Sequence, residues 1–174
     1  MSSSSRQTES PASDTVAGFV APIPIPRFEE FQAVMRQGLR ISSPHFVLHC
    51  CPSSTATQAT TAAIDNRIGA LLPKRWAKKA VRRNLLRRKI YALAALHLPA
   101  LAQAANQQLD CVVRLRASWL ASDFPSAASC ALRDVAGQEL TQLFTQAQSK
   151  LSKQGSAAFT PSSGPKPTAQ AKHG

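Results

Sequence analysis

The stretch KRWAKKAVRRNLLRRKIY, Lys74 to Tyr91, holds nine of the chain's 21 Lys and Arg residues and no acid. Like charge packed this densely repels itself unless an anion compensates it. The chemistry these residue types offer is recognition. Arg donates bidentately to phosphate, Asn positions polar groups, and a Tyr ring gives a base or sugar a face to stack on. Lys74, Arg75, Lys78, Lys79, Arg82, Arg83, Asn84, Arg87, Arg88 and Tyr91 are therefore the candidate binding residues. A basic run is often just a solvated helix face. Here no Asp or Glu occurs between Asp65 and Asp110, which favours binding.

Bond-breaking chemistry has little to work with. The chain has nine acids and shows no Gly-rich phosphate loop, nucleophile elbow or paired-carboxylate motif. No catalytic residue is assigned; if the chain serves an enzyme, the chemistry resides elsewhere. Cys50, Cys51, Cys111 and Cys130 form no C-x-x-C pair, and the first three lie in apolar runs as small buried residues. His45 and His49 could share one strand face, yet with no spaced Cys or acid nearby they suit the surface better than a metal. No metal site is expected in the chain.

These residues need a scaffold to position them. A length of 174 residues gives one domain plus tails, and 44% hydrophobic content gives it a core. Residues 1–26 read as a disordered lead-in closing on an extended arm with Pro22, Pro24 and Pro26, and residues 151–174 as a second disordered tail. Between them, 27–150 should fold. A helix from Phe28 stops at Gly38; LRIS and HFVLHCC are strands; a threonine-rich loop follows from Pro52 to Thr61. RIGALLP is a third strand, the basic segment a helix over 78–97 interrupted by Pro99, LDCVVRLRASW a fourth strand, and 125–149 a last helix. The expectation is a single α+β domain, order α-β-β-β-α-β-α, with a small four-stranded sheet.

On a helix over 78–97, Val81, Leu85, Leu86, Ile90, Ala92, Leu93 and Leu96 fall within one arc of about 180°. Arg83, Asn84, Arg87, Arg88 and Tyr91 share the opposite side and stack at spacings of four. Arg82 and Lys89 point into the apolar arc and must snorkel or reach a second surface.

A net charge of +12 and pI ≈ 10.5 narrow the partner to RNA, DNA or an anionic membrane. A membrane-surface helix would carry bulky aromatic anchors, which this one lacks. No run reaches the ~18 apolar residues needed to span a bilayer, and no secretory signal is visible, so a cytoplasmic protein is expected. No helix-turn-helix precedes the basic helix and no leucine heptad follows it, so structured RNA is favoured over DNA.

RIGALLPKRWAKKAVRRNLLRRKIY resembles the signature of the bacterial ribonuclease P protein component family: Arg67 and Gly69 on a strand, Lys74 and Arg75, then Arg83, Asn84, Arg87 and Arg88 on a helix. RFEEFQAVMRQGLRISSPHFVL is similar to the family's opening and LDCVVRLRASW to its last strand, so the likeness covers about residues 27–148. It departs from the pattern at Leu85 and Tyr91, where Arg is usual, and at Met35 and Pro73. The resemblance implies a non-catalytic subunit of a ribonucleoprotein. In that family a large RNA holds the Mg²⁺ ions and cleaves the 5′ leader from precursor tRNA. It also implies that Arg83, Asn84, Arg87 and Arg88 face that RNA. Phe31, Arg40 and Phe46 match its leader-binding cleft, although core packing would explain the two phenylalanines equally well. The alternative is a ribosome-associated protein or assembly factor using the same basic helix.

Overall fold

A computed structural model describes residues 22–53, 66–120, 122–124, 126, 129–154 and 159. Its elements are β1 (Ile23–Pro24), α1 (Phe28–Arg36), β2 (Leu39–Ser42), β3 (Phe46–Pro52), β4 (Arg67–Leu71), α2 (Ala80–Ala105), β5 (Leu109–Leu115) and α3 (Cys130–Gln154). The strands form one sheet in the order β1-β4-β5-β3-β2. β1, β4 and β5 run parallel, and β3 is antiparallel to both β5 and β2.

Period-two alternation divides the sheet between two layers. Phe46, Leu48 and Cys50 of β3, Ile68 of β4 and Cys111, Val113 and Leu115 of β5 pack with α2 and α3 in the main core. The intervening residues Cys51 and Val112 pack with Val34 of α1 and Ile25 on the other face. Helices on both faces explain why β3 and β5 read as almost unbroken apolar runs.

The expected four-stranded sheet has a fifth strand. Ile23 and Pro24 pair with Arg67 and Ile68, the Ile25 amide bonds to the Ile68 carbonyl, and the Ile25 side chain is buried. The last residues of the expected N-terminal tail are therefore structural, because alternate prolines leave Ile23 and Ile25 free to donate to an edge. At the other end α3 runs to Gln154 and buries Leu151, and Phe159 packs on the same core. The expected tail boundary at 151 cuts that helix. Residues 1–21, 54–65 and 160–174, with most of both tails and of the threonine-rich loop, lie outside the described residues.

Pro99 does not end α2. The helix continues to Ala105 and stops at Asn106, whose φ of 52° is left-handed and whose amide returns to Ala102 and Gln103. Burial of Leu98, Leu101, Ala102 and Ala105 offsets the one intrahelical bond that proline forfeits. Ser129 caps α3 by accepting the Leu132 amide at 3.1 Å. Gly38, at φ 102°, turns the chain from α1 into β2, and a Cβ there would strike the Cys50 carbonyl.

Candidate nucleic-acid interface

The buried stripe of α2 is Leu86, Ile90, Ala94, Leu98, Leu101 and Ala105, with Ala95 and Ala102 beside it. It is rotated from the arc expected from the sequence. Val81 is 58% exposed and Leu96 65%, and Ala92 is exposed as well. A 26-residue helix with alanine or leucine on every side has no single apolar face, and packing against α3 decides which residues are buried. Small Ala94 and Ala102 let Leu132, Ala136, Leu140, Leu143 and Phe144 of α3 approach.

The rotation sorts the basic residues. Lys74, Arg75, Lys78, Lys79, Asn84, Arg87 and Arg88 are exposed, and none forms an ion pair among the described residues. Arg83 is partly withdrawn: its Nη1 donates to the carbonyls of Ala77 at 2.9 Å and Lys78 at 2.7 Å, bracing the turn before α2. Arg82 does reach a second surface, donating to the Phe124 carbonyl at 2.9 Å. Lys89 reaches one too, its stem lying against Gly137 of α3, where a Cβ would collide with it. Tyr91 is not on the open side as expected; it is half-buried against the main core, and that burial pushes its phenol pKa up. Asn84 and Arg88 instead share a groove of about 530 Å³ with Val81, Leu85 and Ala92, rimmed by Lys89 and Arg133.

A second basic surface lies on the α1 side of the sheet. Arg40, Arg114 and Arg116 surround a cavity of about 470 Å³ together with His49, Val47 and Met35. His49 is buried, not a surface residue as expected; burial, then Arg40 and Arg114, hold its pKa at about 4, so the ring is neutral at pH 7. The Arg114 Nε is buried without a partner among the described residues. Arg40, expected in a leader cleft, lines this cavity beside Met35 of α1. Phe31 lies on the same face, partly buried over Gly69, where an added Cβ would strike its ring. Phe46 does not belong there. It is fully buried on the opposite face, edge-on to Trp119 at 5.6 Å, because strand alternation turns Val47 toward the cleft instead. Arg114 and Arg116 escaped the sequence reading, although the Arg-x-Arg alternation was visible there, and His49 was read only as a surface histidine.

The acids are engaged elsewhere. Asp110 and Glu30 both pair with Arg67. Glu139 accepts the His45 amide at 2.6 Å and faces its Nδ1 at 2.8 Å, which ties the β2–β3 turn to α3, and His45 also stacks on Trp119. His45 is thus part of the packing rather than a surface residue. Among the described residues no group of three His, Cys, Asp or Glu could hold a metal ion, so these residues do not fit a protein-held Mg²⁺. No helix among them is long and apolar enough to cross a membrane.

A three-layer α+β domain with an uncompensated basic helix on one side and an arginine-lined cleft on the other defines a class, the protein part of a ribonucleoprotein. A family model described as Ribonuclease P matches residues 25–148, and a ribonuclease P protein component from Ralstonia pickettii is 33% identical over 141 residues, 81% of this chain and 86% of that protein. This chain belongs to the ribonuclease P protein component family and is an RNA-binding subunit acting in tRNA processing. A second relative, from a Nostoc species, is 37% identical over 86 residues, 42% of this chain and 61% of that protein. The solved ribonuclease P protein of Staphylococcus aureus aligns at 19% identity over 71% of this chain and 94% of its own, with a TM-score of 0.49. That of Thermotoga maritima aligns at 18% identity over 65% and 90%, with a TM-score of 0.42. Nothing favours the ribosome-associated alternative.

Proposed function

We propose that this chain docks α2 on a large catalytic RNA and holds the 5′ leader of precursor tRNA in the cleft between α1 and the sheet. The carrying observation is the set of exposed cations, Lys74, Arg75, Lys78, Lys79, Arg87 and Arg88, none of which is neutralised by a carboxylate among the described residues. A phosphate backbone supplies the missing charge and releases counterions when it binds. Arg40, Arg114 and Arg116 would grip the leader phosphates, and Phe31, on the same face of the sheet, would offer a ring to an unpaired base. Cleavage itself is assigned to the RNA with its Mg²⁺ ions, in the cytoplasm; the protein binds and positions. The test is reconstitution with the cognate RNA and a 5′-extended tRNA at low Mg²⁺. The protein should raise the cleavage rate, and nuclease-treated protein alone should leave the substrate intact. Cleavage by the RNA-free chain would overturn the reading.

A further inference from the structure

Trp76 and Trp119 come from different connections, the first before α2 and the second after β5, yet both line one cleft of about 390 Å³. Five buried side-chain donors or acceptors lack a partner among the described residues, and three belong to side chains of this cleft: Nε1 of each indole and Nε of Arg82. A buried donor without an acceptor costs stability, and one such atom is an imperfection of packing. Three around one cavity is a pattern, and an acceptor-bearing ligand would relieve it.

The remaining walls indicate which ligand. Lys78 and Lys79 are exposed and carry charge to the cleft, and Arg75 lies over the Trp76 ring at 5.2 Å from its centroid. Trp76 and Phe124 are only partly buried, so π surface is available, while Trp119 is closed on one side by His45. Cations, aromatic rings and N–H donors together suit a group with a phosphate, a flat ring and polar acceptors. The volume falls at the low end of the ~300–1,000 Å³ typical of small-molecule sites, which admits a nucleotide but no duplex. We infer that this cleft takes a single unpaired nucleotide of a bound RNA, with its phosphate on Lys78 and Lys79 and its base among the rings.

The inference rests on the RNA-binding reading above and deepens it, since Arg75, Lys78 and Lys79 belong to the docking surface, but its site is distinct from the arginine cleft. Trp76, Trp119 and Phe124 belong to the core on the α2 and α3 face, whereas the arginine cleft lies on the α1 face. A leader held there would not fill this site.

The chain has two tryptophans, and both are in the cleft, so its intrinsic fluorescence is a local reporter. Titrating the full chain with hexa-adenylate should change that fluorescence saturably, and inorganic phosphate at matched ionic strength should not. Leu120 lines the cleft and is 68% exposed, so Leu120→Glu adds repulsion without disturbing the core. It should weaken the titration by at least ~10-fold and leave the melting temperature unchanged. A silent tryptophan signal, an equal response to phosphate, or wild-type binding by Leu120→Glu would each overturn the inference. If any of these occurs while the reconstituted holoenzyme still gains activity from the protein, this site is wrong and the wider function stands. Loss of that gain would count against the wider function instead.

Discussion

Arg67 and Asp110 stand opposite each other on the parallel strands β4 and β5 and share two hydrogen bonds, Nε to Oδ1 at 2.9 Å and Nη2 to Oδ2 at 2.6 Å. The third guanidinium donor, Nη1, reaches Glu30 of α1 at 2.9 Å. One side chain therefore locks two central strands together and pins α1 to the sheet. Two residues on, Gly69 leaves room for the Phe31 ring. The Arg-x-Gly motif that looks like part of the RNA signature is thus the device that positions the cleft. Asp110→Asn should cost about 3–5 kcal/mol, since it removes the more deeply buried of the two carboxylates that neutralise the guanidinium. Glu30→Gln, nearer solvent, should cost at most about 1 kcal/mol. Urea unfolding of both variants checks this, and near-equal losses would refute the ranking.

His49 makes stability depend on pH. Its pKa is about 4 in the folded chain against about 6.5 for an ordinary histidine, so between those values the unfolded chain binds a proton that the native one refuses. The contribution is complete above pH ~6.5 and is lost as pH falls toward 4, about 3 kcal/mol in all. Partly buried His97, also lowered, acts in the same direction. Subtracting the profile of His49→Gln from that of the wild type should isolate the effect. Parallel profiles would mean that the ring is not desolvated.

Much of this was readable from residue order. Strand alternation and the Phe28, Phe31, Val34 spacing give the elements, and the acid-free basic run gives the partner. Two things were not readable. The phase of α2 was lost because Leu85, Leu93 and Leu96 are as apolar as Leu86 and Ile90, so only contact with α3 chooses among them. The cleft was seen in part, because Arg40 lies in a recognised motif whereas Arg114 and His49 come from strands that read as buried. Strand parity could have moved Phe46 out of it, since Cys50 and Phe46 share a face with the core.

The thiols should divide sharply. Cys50, Cys51 and Cys111 are buried, and burial, then Asp110, pushes the Cys51 thiol up to about 12. Hydrogen bonding to Cys50, 3.2 Å away, and burial raise Cys111 as well. Cys130 at the start of α3 is exposed. An aromatic disulfide reagent at pH 8 should therefore titrate one thiol of the native chain and four in denaturant. Rapid reaction of a second thiol would show that the sheet opens.

Removal of residues 1–21 should leave the unfolding transition where it is. Extending the deletion through Ile25 should not, because β1 leaves with it and the face beneath α1 loses a buried side chain. Ile25→Ala alone should cost about 2–4 kcal/mol. An indifferent Ile25 would return β1 to the tail.

Arg83 and Arg88 separate bracing from binding. Both sit in the helix motif, yet Arg83 spends one nitrogen on two carbonyls of the turn before α2 while Arg88 lies open on the groove. Arg88→Ala should leave stability within about 0.5 kcal/mol and flatten the dependence of log K for RNA on log salt by roughly 0.7–0.9, the loss of one phosphate contact. Arg83→Ala should lower the melting temperature and change the slope less, since its guanidinium already has acceptors. Leu86→Ala and Ile90→Ala, both fully buried, set the scale for damage to the core at about 2–5 kcal/mol. Tyr91 falls between, half-buried four residues after Arg87. Tyr91→Ala should cost about 1–3 kcal/mol of stability, whereas Tyr91→Phe should keep most of it. Salt titrations and thermal melts on the same six variants decide the matter. If Arg83→Ala flattens the slope as much as Arg88→Ala while the melt is unmoved, the bonds to Ala77 and Lys78 are released on binding, and Arg83 belongs to the RNA.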